Sequence, residues 1–167
     1  MCLVDSKFGY LERETSPRGK MRAKISTVIK TSENQMWEEL QKTSSLMYVA
    51  SPILKFKPEQ GHPVPEKWGR GTEYKLKVFL FGILPLGSHI IKLVELNKEK
   101  NLIVSHEHGN LTKAWNHRIK FNAIDDETIE YSDEIEIHAG IGTLFVWLFA
   151  HIFYRHRQIK WKKLFQS

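Results

Sequence analysis

The sequence predicts an α+β fold: a curved antiparallel sheet of about seven strands, two short helices, and one long C-terminal helix laid across the sheet. Three observations lead there. Apolar and polar residues alternate in a series of segments between residues 20 and 138, the period of strands with one buried face. Short polar turns, Asn97-Lys98-Glu99-Lys100 and Asp125-Asp126-Glu127, join neighbouring segments closely enough for antiparallel pairing. The segment Gly140 to Phe165, GIGTLFVWLFAHIFYRHRQIKWKKLF, is almost wholly apolar in its first half and basic in its second. As a helix it would be ~39 Å long, enough to cover the only apolar face of the sheet.

Residues 1–19 show no sustained period and end in the breaker Ser16-Pro17-Arg18-Gly19. They read as a tail, with residues 20–167 as one domain. In KMRAKISTVIK, Met21, Ala23, Ile25, Thr27 and Ile29 share one side; Arg22, Lys24, Ser26 and Lys30 share the other. Ser32 and Gln35 then have the spacing of a capping box, and Trp37 and Leu40 share a helix face. A second helix over SSLMYVA stops before Pro52, because proline disfavours helical geometry in its predecessor. ILKFK reads as a strand, and residues 58–71, with three prolines and three glycines, as a loop. TEYKLKVFLF turns Tyr74, Leu76, Val78 and Leu80 inward. GILPLG reads as an unusually apolar turn. HIIKLVEL, NLIVSHEH, AWNHRIKFNA and ETIEYSDEIEIH complete the strands.

Composition narrows the function classes. The chain of 167 residues has a formal net charge of +6 and a single cysteine, Cys2. One cysteine excludes an internal disulfide framework and suits a reducing, cytoplasmic setting. The N-terminus lacks the basic start and apolar run of a secretory signal. Arg155, Arg157, Lys160, Lys162 and Lys163 account for most of the net charge, with no acidic residue after Glu136. Nucleic-acid binding, which calls for a broad basic face with exposed aromatics, is not expected. The apolar run from Ile141 to Tyr154 falls short of the roughly 20 residues that span a bilayer.

The order of elements, the Trp115-x-His117 strand, Asp133 on the next strand, and Ile152-Phe153-Tyr154-Arg155 on the last helix resemble the START/SRPBCC superfamily. The likeness is to its polyketide cyclase/dehydrase and lipid-transport families and its bacterial ligand-binding members, and covers roughly residues 20–165. The resemblance implies the helix-grip fold and a hydrophobic small molecule held between sheet and long helix. It implies catalysis only in a minority of members. The sequence departs from the family pattern with Ser105 and Glu107 where an Asp and a Gln are often placed. It also has Gly109-Asn110 near a usual Gly-Pro, and Ile119 in place of a second histidine.

Counting by twos puts Ile103, Ser105 and Glu107 on one face, with Trp115, His117, Ile119 and Phe121, and with Ile129, Tyr131, Asp133, Ile135 and Ile137. Glu130, Ser132, Glu134 and Glu136 face solvent. A polar cluster of Glu107, His117 and Asp133 is therefore expected among apolar residues, where a carboxylate must be paired. Such a cluster serves as a register-fixing network, a head-group anchor, or an acid–base pair. His106 and His108 share a strand face but lack a third ligand at a convincing spacing, so no metal is expected. No cofactor fingerprint appears.

The expected function is binding of a hydrophobic small molecule, a lipid or polycyclic compound, rather than catalysis. The expected lining is Trp37, Phe56, Tyr74, Leu76, Val78, Trp115, His117, Tyr131, Asp133, Leu148, Ile152 and Arg155. On the long helix, Leu144, Leu148, Ile152 and Trp147 would form cavity wall and Arg155 would mark the changeover. Arg157, Lys160, Lys162 and Lys163 would be solvated. The alternatives are a cyclase/dehydrase-type enzyme using His117 with Asp133 or Glu107, and a docking module. The docking module would contact a membrane surface or a partner through Phe81, Ile83, Leu84 and Leu86 acting with the basic helix end.

Overall fold

Alternation in the first strand and the capping box behind it set the start of the fold. In the computed structural model, which describes residues 19–166, β1 (Met21–Lys30) is followed by α1 (Glu33–Gln41) and α2 (Thr43–Ala50). Then come β2 (Leu54–Pro58), β3 (Glu73–Leu80), β4 (Leu84–Asn97), β5 (Leu102–Gly109), β6 (Ala114–Asp125) and β7 (Thr128–His138). A short 3-10 turn, Gly140–Gly142, leads into α3 (Thr143–Gln166). The tail expected over residues 1–19 lies, but for Gly19, outside the described residues.

The strands form one antiparallel sheet in the order β1-β7-β6-β5-β4-β3-β2. This is the α+β helix-grip architecture: β2 to β7 form a meander, and β1 is placed beside the last strand. Register confirms the facing of β1 and β7. Ile25 pairs with Asp133 and Ala23 with Ile135 toward the helix, while Lys24 meets Glu134 on the outer face. The capping box forms as spaced: Gln35 N–H donates to Ser32 Oγ and Ser32 N–H to Gln35 Oε1. Met36, Trp37 and Leu40 bury the face so oriented.

One turn is shorter than its composition implies. Only Phe81 to Ile83 turn; Leu84, Pro85 and Leu86 already belong to β4. The reason is a bulge at Val78/Phe79, with Pro85 paired to Phe79 just beyond it. A bulge tolerates the missing proline N–H, so the proline does not end the strand. At the other end of this hairpin region, Gly87 takes φ +97°, and any Cβ there would meet the Asn110 side chain, whose Oδ1 accepts from Ser88 N–H at 2.7 Å.

α3 packs on β1, on the adjoining β7 and on α2, and makes no comparable backbone approach to β3, β4, β5 or β6. Two apolar clusters flank the resulting gap. One gathers Met36, Trp37, Phe121, Ile129 and Trp161; the other gathers Ile25, Ile135, Trp115, Phe153 and Tyr154. No helix among the described residues is long and apolar enough to cross a membrane.

Two substitutions on β1 separate core from surface. Ile25→Ala is expected to cost about 2–5 kcal/mol in urea unfolding, the range for truncating a buried isoleucine. Val28→Ala, on the exposed side three residues on, is expected to stay within about 0.5 kcal/mol.

Candidate ligand cavity

The gap is a cavity of about 370 Å³. The inward positions of β2 to β6 form its floor, with Phe56, Val78, Ile91, Ile103 and Trp115 among them, and Phe149, Phe153, Tyr154 and Trp161 of α3 roof it. Period two puts these side chains on one face, and the helix, held at the β1–β7 edge, leaves the space above them unfilled. A mostly apolar wall with a few convergent polar groups is the usual make-up of a small-molecule site.

The polar groups form two histidine–carboxylate pairs. His89 Nε2 lies 2.8 Å from Glu107 Oε2, and Ser105 Oγ donates to Glu107 Oε1. His117 Nε2 lies 2.8 Å from Asp133 Oδ1. Tyr131 Oη also donates to Asp133 Oδ1 at 3.0 Å, and Gln158 Nε2 donates to Oδ2 at 3.3 Å and to Ile25 O at 2.8 Å. His89, Ser105, Glu107 and His117 line the cavity; Asp133, 0% exposed, stands behind His117. Burial pushes the Glu107 carboxyl up, but the His89 hydrogen bond and charge, with help from His117 and Ser105, bring it below the usual value. Burial and Asp133 push the Tyr131 phenol well up, so it stays protonated and donates.

α3 adds a buried cation. Arg157 is 4% exposed and lines the cavity, with its Cζ 4.9 Å from the Tyr154 ring centre. Burial works against its charge, but Asp133, the two tyrosines and Glu107 outweigh that and hold its pKa above the usual value. Tyr154 Oη accepts from Trp115 Nε1 at 3.0 Å, and its ring lies 4.9 Å from that of His117.

The expected residues sort into four groups. Phe56, Val78, Glu107, Trp115 and His117 line the cavity. Tyr131 and Asp133 form the hydrogen-bonded layer behind it. Trp37, Tyr74 and Leu76 lie in the core instead; Trp37 packs near Phe121, and Tyr74 accepts from Gly69 N–H at 2.6 Å beside Trp68. Leu148, Ile152 and Arg155 point away from the cavity, as does Leu144, and Arg155 donates to Ser26 O at 3.2 Å. Trp147 also leaves the cavity wall and donates to Arg22 O.

The expected solvated Arg157 is the converse error. Both have one cause: the first half of α3 is apolar nearly all round, so its period does not select a face. The buried stripe is Ala150, Phe153, Tyr154, Arg157, Gln158 and Trp161. A signal for it existed in the basic half, where Trp161 falls at the i+3 and i+4 spacing from Gln158 and Arg157. His89 was also missed, although it shares a strand face with Ile91 and Leu93.

Of the apolar turn, Phe81, Ile83 and Leu84 are exposed, as expected, while Leu86 is partly buried. Leu86 packs against the same cluster as Val146 and Phe149 near the start of α3, whereas Leu164 and Phe165 join the other cluster at its end. Lys160 lies over the Tyr48 ring, 3.9 Å from its centre. His106 and His108 are exposed on the outer face of β5.

Because the Glu107 pKa is lowered in the fold, its contribution is present above the unfolded value, near 4.5, and is lost as pH falls through the folded one. Wild type is therefore expected to exceed Glu107→Gln in urea stability at neutral pH. That margin should shrink as unfolding is repeated below about pH 4.5.

No curated protein matches the sequence. Several solved structures share the fold. Norcoclaurine synthase from Thalictrum flavum, in complex with dopamine and hydroxybenzaldehyde, is 12% identical with a TM-score of 0.66, over 99% of this chain and 96% of that one. A START superfamily protein from Mycobacterium smegmatis is 9% identical with a TM-score of 0.63, over 85% and 94%. The Zhui aromatase/cyclase from a Streptomyces species is 8% identical with a TM-score of 0.58, over 86% and 90%. These likenesses establish the START/SRPBCC fold expected from the sequence. Residues 27–165 match the family described as a domain of unknown function, DUF8410, and the chain belongs to that family.

Proposed function

We propose that the protein binds a hydrophobic small molecule, a lipid or polycyclic compound, in the cavity between sheet and α3. The observation that carries this reading is the cavity itself: about 370 Å³ walled mainly by aliphatic and aromatic side chains, with its polar groups gathered in a few places. Burial of the ligand's apolar body supplies affinity at roughly 25 cal/mol per Å² of surface removed from water, less the cost of association. The histidine–carboxylate pairs orient a polar end. A fold relative solved with two single-ring aromatics supports the same use of the fold. On this reading residues 20–167 act as one domain, and the lone Cys2 fits a cytoplasmic setting.

Native mass spectrometry of freshly purified protein, with a panel of fatty acids and polycyclic aromatics, tests the proposal. Retained or added ligand is expected to bind wild type. Val78→Phe, which fills part of the floor, is expected to weaken binding by about tenfold or more. No binding across the panel would refute the reading.

A second reading is acid–base chemistry of the cyclase or dehydrase type. It is favoured by His117, which lines the cavity while Asp133 holds its Nε2 from behind. A carboxylate so placed fixes the ring's orientation and tautomer. His117→Ala is then expected to lower turnover of an identified substrate by about 10²–10⁴-fold. Unchanged turnover would end this reading and leave the binding proposal standing.

A further inference from the structure

We propose that the cavity is built for a ligand carrying a carboxylate, which Arg157 Nε and Trp161 Nε1 bind together. The inference rests on the cavity reading above and adds the chemistry of the ligand's polar end. Both side chains line the cavity. Both are nearly sealed from solvent, at 4% and 1% exposed, and in each the named nitrogen has no hydrogen-bond partner among the described residues. They stand four residues apart on α3, which puts them side by side on one helix face, ~5–6 Å between Cβ atoms. Guanidinium and indole nitrogens only donate. Buried N–H groups nearly always have an acceptor. Two of them, on residues that share one helix face and line one apolar space, call for an oxygen acceptor that the described residues do not supply.

The two carboxylates that act on Arg157, Asp133 and Glu107, already have donors of their own. Glu107 takes hydrogen bonds from His89 and Ser105, and Asp133 from His117, Tyr131 and Gln158. His117 also stands between Asp133 and the cavity, and Glu107, at the wall, is paired with His89. Trp115 shows the contrast: its Nε1 is buried in the same wall but is satisfied by Tyr154 Oη. Gln158 Oε1 and His151 Nε2 lack partners too, yet neither residue lines the cavity.

Charge selects a carboxylate over a neutral carbonyl or hydroxyl. Arg157 remains cationic in the fold, held so by Asp133 and Glu107 against the effect of burial. A charge-assisted bond from a guanidinium is roughly twice as strong as a neutral one, and its planar edge matches a planar carboxylate. Trp161 then supplies the second donor without adding charge. The aromatic roof and aliphatic floor receive the rest of the ligand. The class is an apolar or aromatic acid.

A matched pair of probes tests this: 2-naphthoate and 2-naphthylmethanol, with one ring system and a charged or neutral end, titrated calorimetrically at pH 7. Wild type is expected to bind the naphthoate about tenfold or more tightly than the alcohol. Arg157→Gln should bring that ratio close to one. Trp161→Phe, which keeps a ring in place, should reduce it severalfold and serves if Arg157→Gln does not fold. Equal affinity of wild type for both probes would overturn the carboxylate inference and leave the cavity reading intact. A preference that persists in both variants would also overturn it, because the anion would then sit elsewhere. Binding of neither probe would count against the cavity reading itself and remove this inference with it.

Discussion

Asp133 is the constraint around which the rest is arranged. It is a carboxylate with no solvent exposure, on the inner face of β7 among isoleucines. An unpaired charge there would cost several kcal/mol, so the fold has to bring donors to it. They come from three elements: His117 on β6, Tyr131 on β7 and Gln158 on α3. Gln158 also donates to the backbone of Ile25, which ties the helix to β1 as well. With Gln158 held there, the rotation of α3 about its own axis is set. Arg157 goes inward beside it, and Leu144, Leu148 and Ile152 turn outward although they are apolar. Where hydrophobicity leaves the helix face open, a hydrogen-bond requirement selects it.

The same tether explains why there is a cavity at all. α3 is pinned at the β1–β7 edge and braced by α2, while the meander from β2 to β6 curves away beneath it. Interiors otherwise pack to the density of organic crystals, so a lasting space needs a scaffold that keeps its walls from collapsing. Here the scaffold is the two apolar clusters at either side of the gap, anchored by Phe121, Tyr131 and Trp161 on one side and Ile135, Trp115 and Tyr154 on the other. Core and cavity share residues at this point. Trp161 is both a buried core ring and part of the cavity roof, and Tyr154 holds Trp115 while it packs on His117.

Adjacent strands carry the two histidine–carboxylate pairs in different settings. Glu107 borders the cavity, and its low pKa, set by His89 against burial, keeps a negative charge at the wall. Asp133 is screened from the cavity by His117 and spends its oxygens on the chain. The first pair sets the charge at the cavity wall; the second holds sheet and helix together. Arg157, drawn in next to the second pair, lies in the reach of both.

Most of the fold was legible in the sequence, because alternation, capping and turn signals are local. The order of elements, the inward faces of β1, β3, β6 and β7, the capping box at Ser32 and the inward placement of His117 and Asp133 all follow from spacing along the chain; that Glu107 pairs with His89 rather than His117 does not. The end of the β3–β4 turn did not, because a bulge at Val78/Phe79 admits Pro85 into a strand that its composition argues against. The face of α3 did not either. Its first half is apolar on every side, so no period distinguishes Leu148 and Ile152 from Phe149 and Phe153. The sequence by itself determined which residues lie on the strands and which strand faces are buried. Only the tertiary structure decided that Arg157 rather than Arg155 enters the cavity, since that choice is made by the hydrogen bond between Gln158 and a carboxylate 25 residues away.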